Sequence, residues 1–251
     1  MRDVIETNRR RKLVDAPARF AIQELRATGR PTELRLVETG QRVLLRPGTR
    51  DTDILQEIFR GEGMYSPPEA VHAKLRERSL RVLDLGGNIG LFGLDAFRRY
   101  DVGELVSFEP DPGNLPLLAA NISHNGLDDR WLVRPDCVSN RAGTVRFEAG
   151  LFANSRVTPD ANDGMAVPCI DFFELGPSDL VKVDIEGSEW EILFDERLPA
   201  VPTDVLVLEW HAAQCPSPDF AWAAHRCLQE AGFSVLDAER AVRSGTLWAW
   251  R

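Results

Sequence analysis

The sequence is poor in three features that would have pointed elsewhere. No stretch of its 251 residues approaches the ~20 consecutive apolar positions that a membrane-crossing helix needs. Its four cysteines, Cys137, Cys169, Cys215 and Cys227, include no Cys-x-x-Cys pair, which excludes the usual redox and zinc-ribbon motifs. The set His211, Cys215, His225 and Cys227 has a spacing that fits no common zinc module either, so no metal site is assigned. Positive charge is also short. Thirty Lys and Arg against 39 Asp and Glu leave a formal charge of −9, so a nucleic-acid partner is not expected. The basic run Arg9-Arg10-Arg11-Lys12 is followed by no apolar stretch, so it reads as a solvated helix start rather than a secretory signal. Scattered thiols and no leader make the cytoplasm the expected location.

What is present reads as one soluble α/β domain with an N-terminal extension. Hydrophobic residues at 43% and charged residues at 27% are ordinary for a globular chain and argue against disorder. Residues 1–75 predict a small cap of helices and a hairpin. Ala16 to Thr28 has helical spacing and stops at Gly29-Arg30-Pro31. Leu34 to Val37 and Arg42 to Leu45 predict paired strands, and Asp51 to Phe59 a second helix. Residues 76–251 then alternate apolar strands with amphipathic helices. Strands are expected at 81–85, 105–108, 131–134, 180–185, 205–208, 233–236 and 246–250, with helices at 88–100, 112–125, 188–194 and 218–231. Short, nearly continuous apolar strands separated by helices imply a mostly parallel sheet covered on both faces. The segment 141–170 breaks the rhythm and reads as an inserted antiparallel β segment around the polar stretch 154–164. The loop Phe152 to Arg156 within it is a candidate wall for a ligand pocket.

The first strand feeds a glycine-rich turn, Asp84-Leu85-Gly86-Gly87-Asn88-Ile89-Gly90. Glycines let a ligand approach the main chain, and the following helix offers free N–H groups at its positive end. The dinucleotide pattern Gly-x-Gly-x-x-Gly is missing its second glycine, because position 88 is Asn. Asp84 at the strand end would repel a pyrophosphate but accept from an ammonium. The second strand ends Phe108-Glu109-Pro110, and an acid there is placed to accept from ribose hydroxyls. Asp136 and Cys137, past the third strand, fall where an adenine ring would lie; Asp136 also suits a turn. Tyr65, from Gly63-Met64-Tyr65-Ser66-Pro67, either closes over the cofactor or packs its own loop.

The fourth strand carries Val181-Lys182-Val183-Asp184-Ile185-Glu186-Gly187-Ser188-Glu189. Period two puts Lys182, Asp184 and Glu186 on one face, which is costly unless they pair or line a site. This string, the glycine loop and Phe108-Glu109-Pro110 resemble the FkbM family of methyltransferases. The run from Arg46 to Asp53 and the fifth-strand end Leu208-Glu209-Trp210-His211 are similar to that family as well. The resemblance spans roughly residues 45 to 211 and implies a class I methyltransferase fold, Rossmann-like and with a seven-stranded sheet. It also implies methyl transfer from S-adenosylmethionine, usually to a hydroxyl of a specialised metabolite, sugar or lipid.

On that basis Asp84, Gly86, Gly87, Asn88, Gly90, Glu109, Asp136, Cys137 and Tyr65 are the expected cofactor contacts, and His211, Asp184 and Glu186 the expected catalytic groups. His211 is the first candidate for a general base, with Asp184 or Glu186 as alternatives. The same carboxylates, with Glu209, are the residues that would hold a divalent cation if one were used. N-methylation, a nicotinamide-dependent oxidoreductase on a related fold, and an inactive binding module are the competing readings.

Overall fold

The computed structural model describes residues 11–61, 63–150, 156–157, 164–240 and 243–251. Of the sequence features above, Arg9, Arg10 and the loop Phe152 to Ser155 lie outside these residues. The N-terminal part contains α1 (Pro17–Arg26), the antiparallel pair β1 (Thr32–Arg35) and β2 (Arg42–Leu45), and α2 (Arg50–Phe59). Helix α3 (Glu69–Leu75) follows. It was not foreseen, because seven residues behind Pro67-Pro68 show too little periodicity to distinguish it from loop.

The remaining chain builds a seven-stranded sheet. Its strands are β3 (Leu80–Leu85), β4 (Val102–Phe108), β5 (Trp131–Arg134), β10 (Ser178–Val183), β11 (Thr203–His211), β12 (Ser234–Arg240) and β13 (Ser244–Trp250). They lie in the order β12-β13-β11-β10-β3-β4-β5. Pairs from β11 through β5 are parallel, and β13 runs antiparallel to both neighbours, which makes the sheet mixed. Helices α4 (Leu91–Arg99) and α5 (Leu115–His124) belong to one hydrophobic cluster, with the N-terminal elements; α6 (Glu189–Leu193) and α7 (Phe220–Glu230) belong to the other. The strands read as near-continuous apolar runs because both faces are covered. Leu83, Val181 and Leu206 face one cluster while Val82, Leu180 and Val205 face the other.

The inserted segment is a second, four-stranded sheet, in the order β6-β9-β7-β8. It comprises β6 (Cys137–Ser139), β7 (Gly143–Glu148), β8 (Arg156–Val157) and β9 (Met165–Asp171). Strands β7 and β9 pair antiparallel as expected. The unforeseen β6 pairs parallel with β9, setting Cys137 opposite Cys169. Both thiols are buried and free, and burial pushes them to about 12 and about 11, which makes them inert packing groups.

The hairpin is fastened to the sheet domain by amide side chains. Asn121 accepts from Leu44 N at 2.6 Å and donates to Leu44 O and Ile89 O. Asn125 accepts from Arg42 N at 3.0 Å and donates to Arg42 O at 2.7 Å. These contacts pair backbone groups of β2 that its partner strand leaves open. Below them, Arg46 makes a two-pronged ion pair with fully buried Asp51 and reaches Asn114 Oδ1 at 2.8 Å.

Among the boundaries that differ from expectation, two shape the cleft. The helix expected from Asn88 begins at Leu91, because Asn88 (φ 47°) and Gly90 (φ 88°) are both left-handed. The strand expected to reach Ile185 ends at Val183, and Glu186 is left-handed at φ 52°. Asp184 and Glu186 therefore lie in the loop beyond the strand, yet Lys182, Asp184 and Glu186 still line one cleft while Val181, Val183 and Ile185 pack in the opposite cluster.

Candidate active site

A cleft of about 1040 Å³, its open mouth included, lies beyond the carboxyl ends of β3, β4, β10 and β11. That is where an open parallel sheet places its ligand. Its floor is the glycine loop. Gly86 has φ +83°, and a Cβ there would sit 1.9 Å from the carbonyl oxygen of Asp184, so only glycine fits. The loop is also held from its neighbours. Gly86 N and Gly87 N donate to Phe108 O, and Asp184 N donates to Leu85 O. Lys182 Nζ donates to Gly86 O at 2.6 Å and lies 3.4 Å from Asp84 and 3.2 Å from Asp184.

Lys182 is almost completely buried. Burial works to lower its pKa, but the charges of Asp184 and Asp84 outweigh it and raise it, so the ammonium persists. Burial pushes Asp84 up, against the opposing pull of Lys182 and of the Ser107 hydroxyl, which donates to Asp84 Oδ2 at 2.8 Å. Ser107 Oγ in turn accepts from Trp131 Nε1 at 2.9 Å. Asp84 thus sits in a built polar network beneath the loop.

Glu109 lies at the wall of the cleft, buried, with each oxygen already accepting one main-chain N–H. Asn88 N donates at 2.6 Å and Asp111 N at 2.8 Å. Oε1 also accepts from the Asn114 amide at 3.4 Å, so Oε2 is the oxygen with a further lone pair for a ligand hydroxyl. Burial raises Glu109 to about 7, with the two N–H groups pulling the other way. Asp136 and Cys137 line the same end, with Asp136 also 3.1 Å from Arg134 Nε.

At the other end stand Asp184, Glu186 and Glu209, with His211 behind them. The three carboxylates line the cleft; His211 is not on its wall. His211 Nε2 is 3.7 Å from Glu186 and 3.9 Å from Glu209, while Nδ1 is 3.1 Å from Glu189. Burial raises Glu186 to about 7 and Glu209 to about 8, helped in each case by the charge of Asp184. For His211 burial acts downward, yet the Glu189 hydrogen bond and the surrounding carboxylates push it to about 10. Three groups this close titrate as a unit. Among the described residues, one His/Cys/Asp/Glu group brings ligand atoms close enough to hold a metal ion: Asp184, Glu186 and His211, within 4.8 Å of one another. Within this group His211 Nε2 and Glu186 are an ion pair, while Asp184 and Glu186 repel each other.

Tyr65 reaches the cleft from the N-terminal part. Its ring packs edge-on against Phe92 with centroids 5.1 Å apart. Burial, then the charges of Glu209, Asp184 and Asp84, raise its phenol well above its usual range, so it remains a donor. Ile54, Ile58 and Met64 from the same part, and Phe147 and Val157 from the inserted sheet, add an apolar wall.

All nine expected cofactor contacts but Asp84 and Gly90 line the cleft; those two act beneath it, Asp84 through Lys182 and Gly90 as the cap of α4. The expected catalytic groups are brought together. Sequence reasoning did not assign Glu209 a role of its own beside them, nor give Lys182 its grip on Gly86, nor connect Glu189 to His211. The available signal was a charge near a strand end for Lys182 and Glu209, and a charge at a helix start for Glu189.

The methyltransferase FkbM domain model matches residues 84–235. Methyltransferase sdnD of Sordaria araneosa is 24% identical over 170 residues, which cover 51% of this chain and 66% of that protein. The crystal structure of methyltransferase FkbM from Methylobacillus flagellatus KT superimposes with a TM-score of 0.48 at 17% identity, over 68% of this chain and 44% of that one. For the M. jannaschii tRNA m1G37 methyltransferase the TM-score is 0.47 at 12% identity, over 88% and 54%. The chain thus spans less than two thirds of the length of sdnD and of the FkbM structure. Among the described residues no helix is long and apolar enough to cross a membrane.

Proposed function

The chain belongs to the FkbM methyltransferase family, and from that membership we propose that it moves the methyl group of S-adenosylmethionine to a hydroxyl of a small-molecule acceptor. Its mixed seven-stranded sheet is the class I methyltransferase fold. The observation that carries the reading is the division of the cleft into two unlike ends on either side of Lys182. One end has a glycine floor and the buried acceptor Glu109; the other has a carboxylate–imidazole cluster.

The cofactor end fits the proposed donor. The main chain at Gly86 is open to close approach, Glu109 Oε2 keeps a lone pair for a ribose hydroxyl, and Asp136 is placed for an exocyclic amine. Asn88 stands where a dinucleotide loop needs glycine, and its side-chain oxygen is buried without a hydrogen-bond partner, an acceptor awaiting a donor. Bound there, S-adenosylmethionine supplies an electrophilic methyl group on a positively charged sulfur.

At the other end Asp184, Glu186 and Glu209 face the acceptor, and the cluster takes its hydroxyl proton. Glu186 and Glu209, raised into the neutral range, are the members that exchange protons near pH 7. His211 is the proposed catalytic partner behind them, its positive charge keeping the pair ionised often enough to accept. The apolar wall of Ile54, Ile58, Met64, Phe147 and Val157 suits an acceptor with a hydrophobic body. Residues up to 75 serve in this reading as a cap over that acceptor.

Titration with S-adenosylhomocysteine and NADH in parallel tests the cofactor, with binding of the first alone expected. Mass spectrometry of metabolite pools after incubation with labelled S-adenosylmethionine tests the transfer and tells a hydroxyl from an amine. With an acceptor in hand, His211→Ala should cut turnover by about 100-fold or more while leaving S-adenosylhomocysteine affinity nearly intact. Full activity in that variant removes His211 from the mechanism.

A further inference from the structure

We propose that Glu189 is a positioning residue for the acceptor end of the cleft: its carboxylate joins the Glu186–Gly187 loop to His211 and fixes which ring nitrogen faces the cluster. The proposal rests on the reading of Glu186 and His211 as catalytic groups.

Glu189 is the first residue of α6 and is completely buried. Its two oxygens gather three N–H groups from two separate elements. Oε2 accepts from Gly187 N at 2.7 Å. Oε1 accepts from the main-chain nitrogen of His211 at 2.6 Å and meets its ring Nδ1 at 3.1 Å. An ionised carboxylate only accepts, so the contact requires the proton on Nδ1 and leaves Nε2 turned toward Glu186 and Glu209. The next residue completes the grip, since Trp190 Nε1 donates to His211 O at 2.7 Å. One turn of helix therefore holds His211 by its nitrogen, its carbonyl and its ring.

The loop side matters equally. Glu186 is left-handed without being glycine, and Gly187 follows at φ +107°. Such backbone persists only where its surroundings fix it, and the Gly187 N–H to Glu189 bond is one of the fixing contacts. A carboxylate oriented this way behind an imidazole is a general device for setting tautomer and basicity. The charged groups facing His211 are Glu189 on α6, Asp184 and Glu186 on the loop after β10, and Glu209 on its own strand. Arg50, at the start of α2, acts on Glu186. Glu189 alone among these touches the Nδ1 edge.

The substitution Glu189→Gln keeps the shape but cannot keep all three acceptances, because its amide must turn a donor toward Gly187 N or toward His211. Protein labelled with ¹⁵N-histidine carries four imidazoles, at positions 72, 124, 211 and 225, and His211→Ala identifies the signal of interest. In the unaltered protein His211 should stay protonated to higher pH than the other three, with Nδ1 keeping its proton in the neutral ring. In Glu189→Gln its midpoint should fall by about one to three pH units. S-adenosylhomocysteine affinity, read by calorimetry, should change by no more than about threefold. An unchanged midpoint in a folded variant overturns the proposal. If the variant does not fold, the unaltered protein decides: a neutral ring protonated at Nε2 overturns the proposal, and one protonated at Nδ1 supports it. Failure of the unaltered protein to bind S-adenosylhomocysteine sinks the methyl-transfer reading instead and leaves the Glu189–His211 contact standing.

Discussion

Lys182 Nζ donates to the carbonyl oxygen of Gly86 at 2.6 Å, so a strand side chain grips the main chain of the glycine loop. The same ammonium lies between the carboxylates of Asp84 and Asp184 and approaches the Phe92 ring at 6.0 Å. One buried cation thus binds floor, first strand and acidic cluster into a unit.

Replacing it tests that unit. Lys182→Met leaves two buried or half-buried carboxylates without their cation, a change that typically costs about 3–5 kcal/mol. Urea denaturation should show a loss of that order, and S-adenosylhomocysteine affinity should fall about tenfold or more as the loop loosens. Unaltered affinity would mean that the loop holds its shape without Lys182.

Gly86→Ala attacks the same floor from the other side. The new methyl would overlap the Asp184 carbonyl, a backbone atom that cannot swing away, in a conformation disfavoured for alanine. A destabilisation of about 1–3 kcal/mol is expected from the backbone strain alone. Calorimetry should detect no cofactor binding. Binding at the original affinity would show that the loop is not the floor of the site.

Glu109 predicts a pH dependence with opposite signs in two measurements. Its carboxyl is raised from an ordinary 4.5 to about 7 by burial, so the empty folded protein prefers it neutral. Its contribution to stability is therefore present below about 4.5 and is lost as pH rises through 7. Cofactor binding in the proposed mode runs the other way, because accepting from a ribose hydroxyl favours the ionised form. S-adenosylhomocysteine affinity should rise by up to about tenfold per pH unit below 7 and level off above it. Glu109→Gln should abolish the slope. A slope that survives the substitution assigns it to another group.

Arg46 and Asp51 predict how firmly the cap is set. Asp51→Ala strands a buried guanidinium and should cost about 3–5 kcal/mol in chemical denaturation. Arg46 also holds Asn114, whose amide nitrogen lies 3.4 Å from Glu109, so cofactor affinity should weaken alongside stability. Stability lost with affinity unchanged would uncouple the cap from the site.

The legible parts of this protein were those written locally. The runs Val82-Leu83, Val106-Ser107-Phe108 and Leu180-Val181 are apolar enough to read as strands buried on both faces, and an acid after such a run points beyond the sheet. The missed elements were short. Cys137-Val138-Ser139 carries no pattern, yet it becomes a strand because β9 supplies a partner. The period-two reading put Lys182, Asp184 and Glu186 on one side, as they are, but the strand's end at Val183 and the left-handed turn at Glu186 are reported by no spacing rule. Glu189 was readable only as a favourable charge at a helix start. Its role depends on His211, 22 positions away, and such a pairing is a property of the fold.

The position of β11 has a consequence for synthesis. It carries Glu209 and His211, and its neighbours are β10, made before it, and β13, made well after it. While the chain emerges from the ribosome, the half of the cleft proposed for the acceptor rests on a strand with one bare apolar edge. The glycine floor, framed by β3, β4 and β10, is complete earlier. A nascent chain can therefore complete its glycine loop before the carboxylate cluster at the other end of the cleft has its full framework.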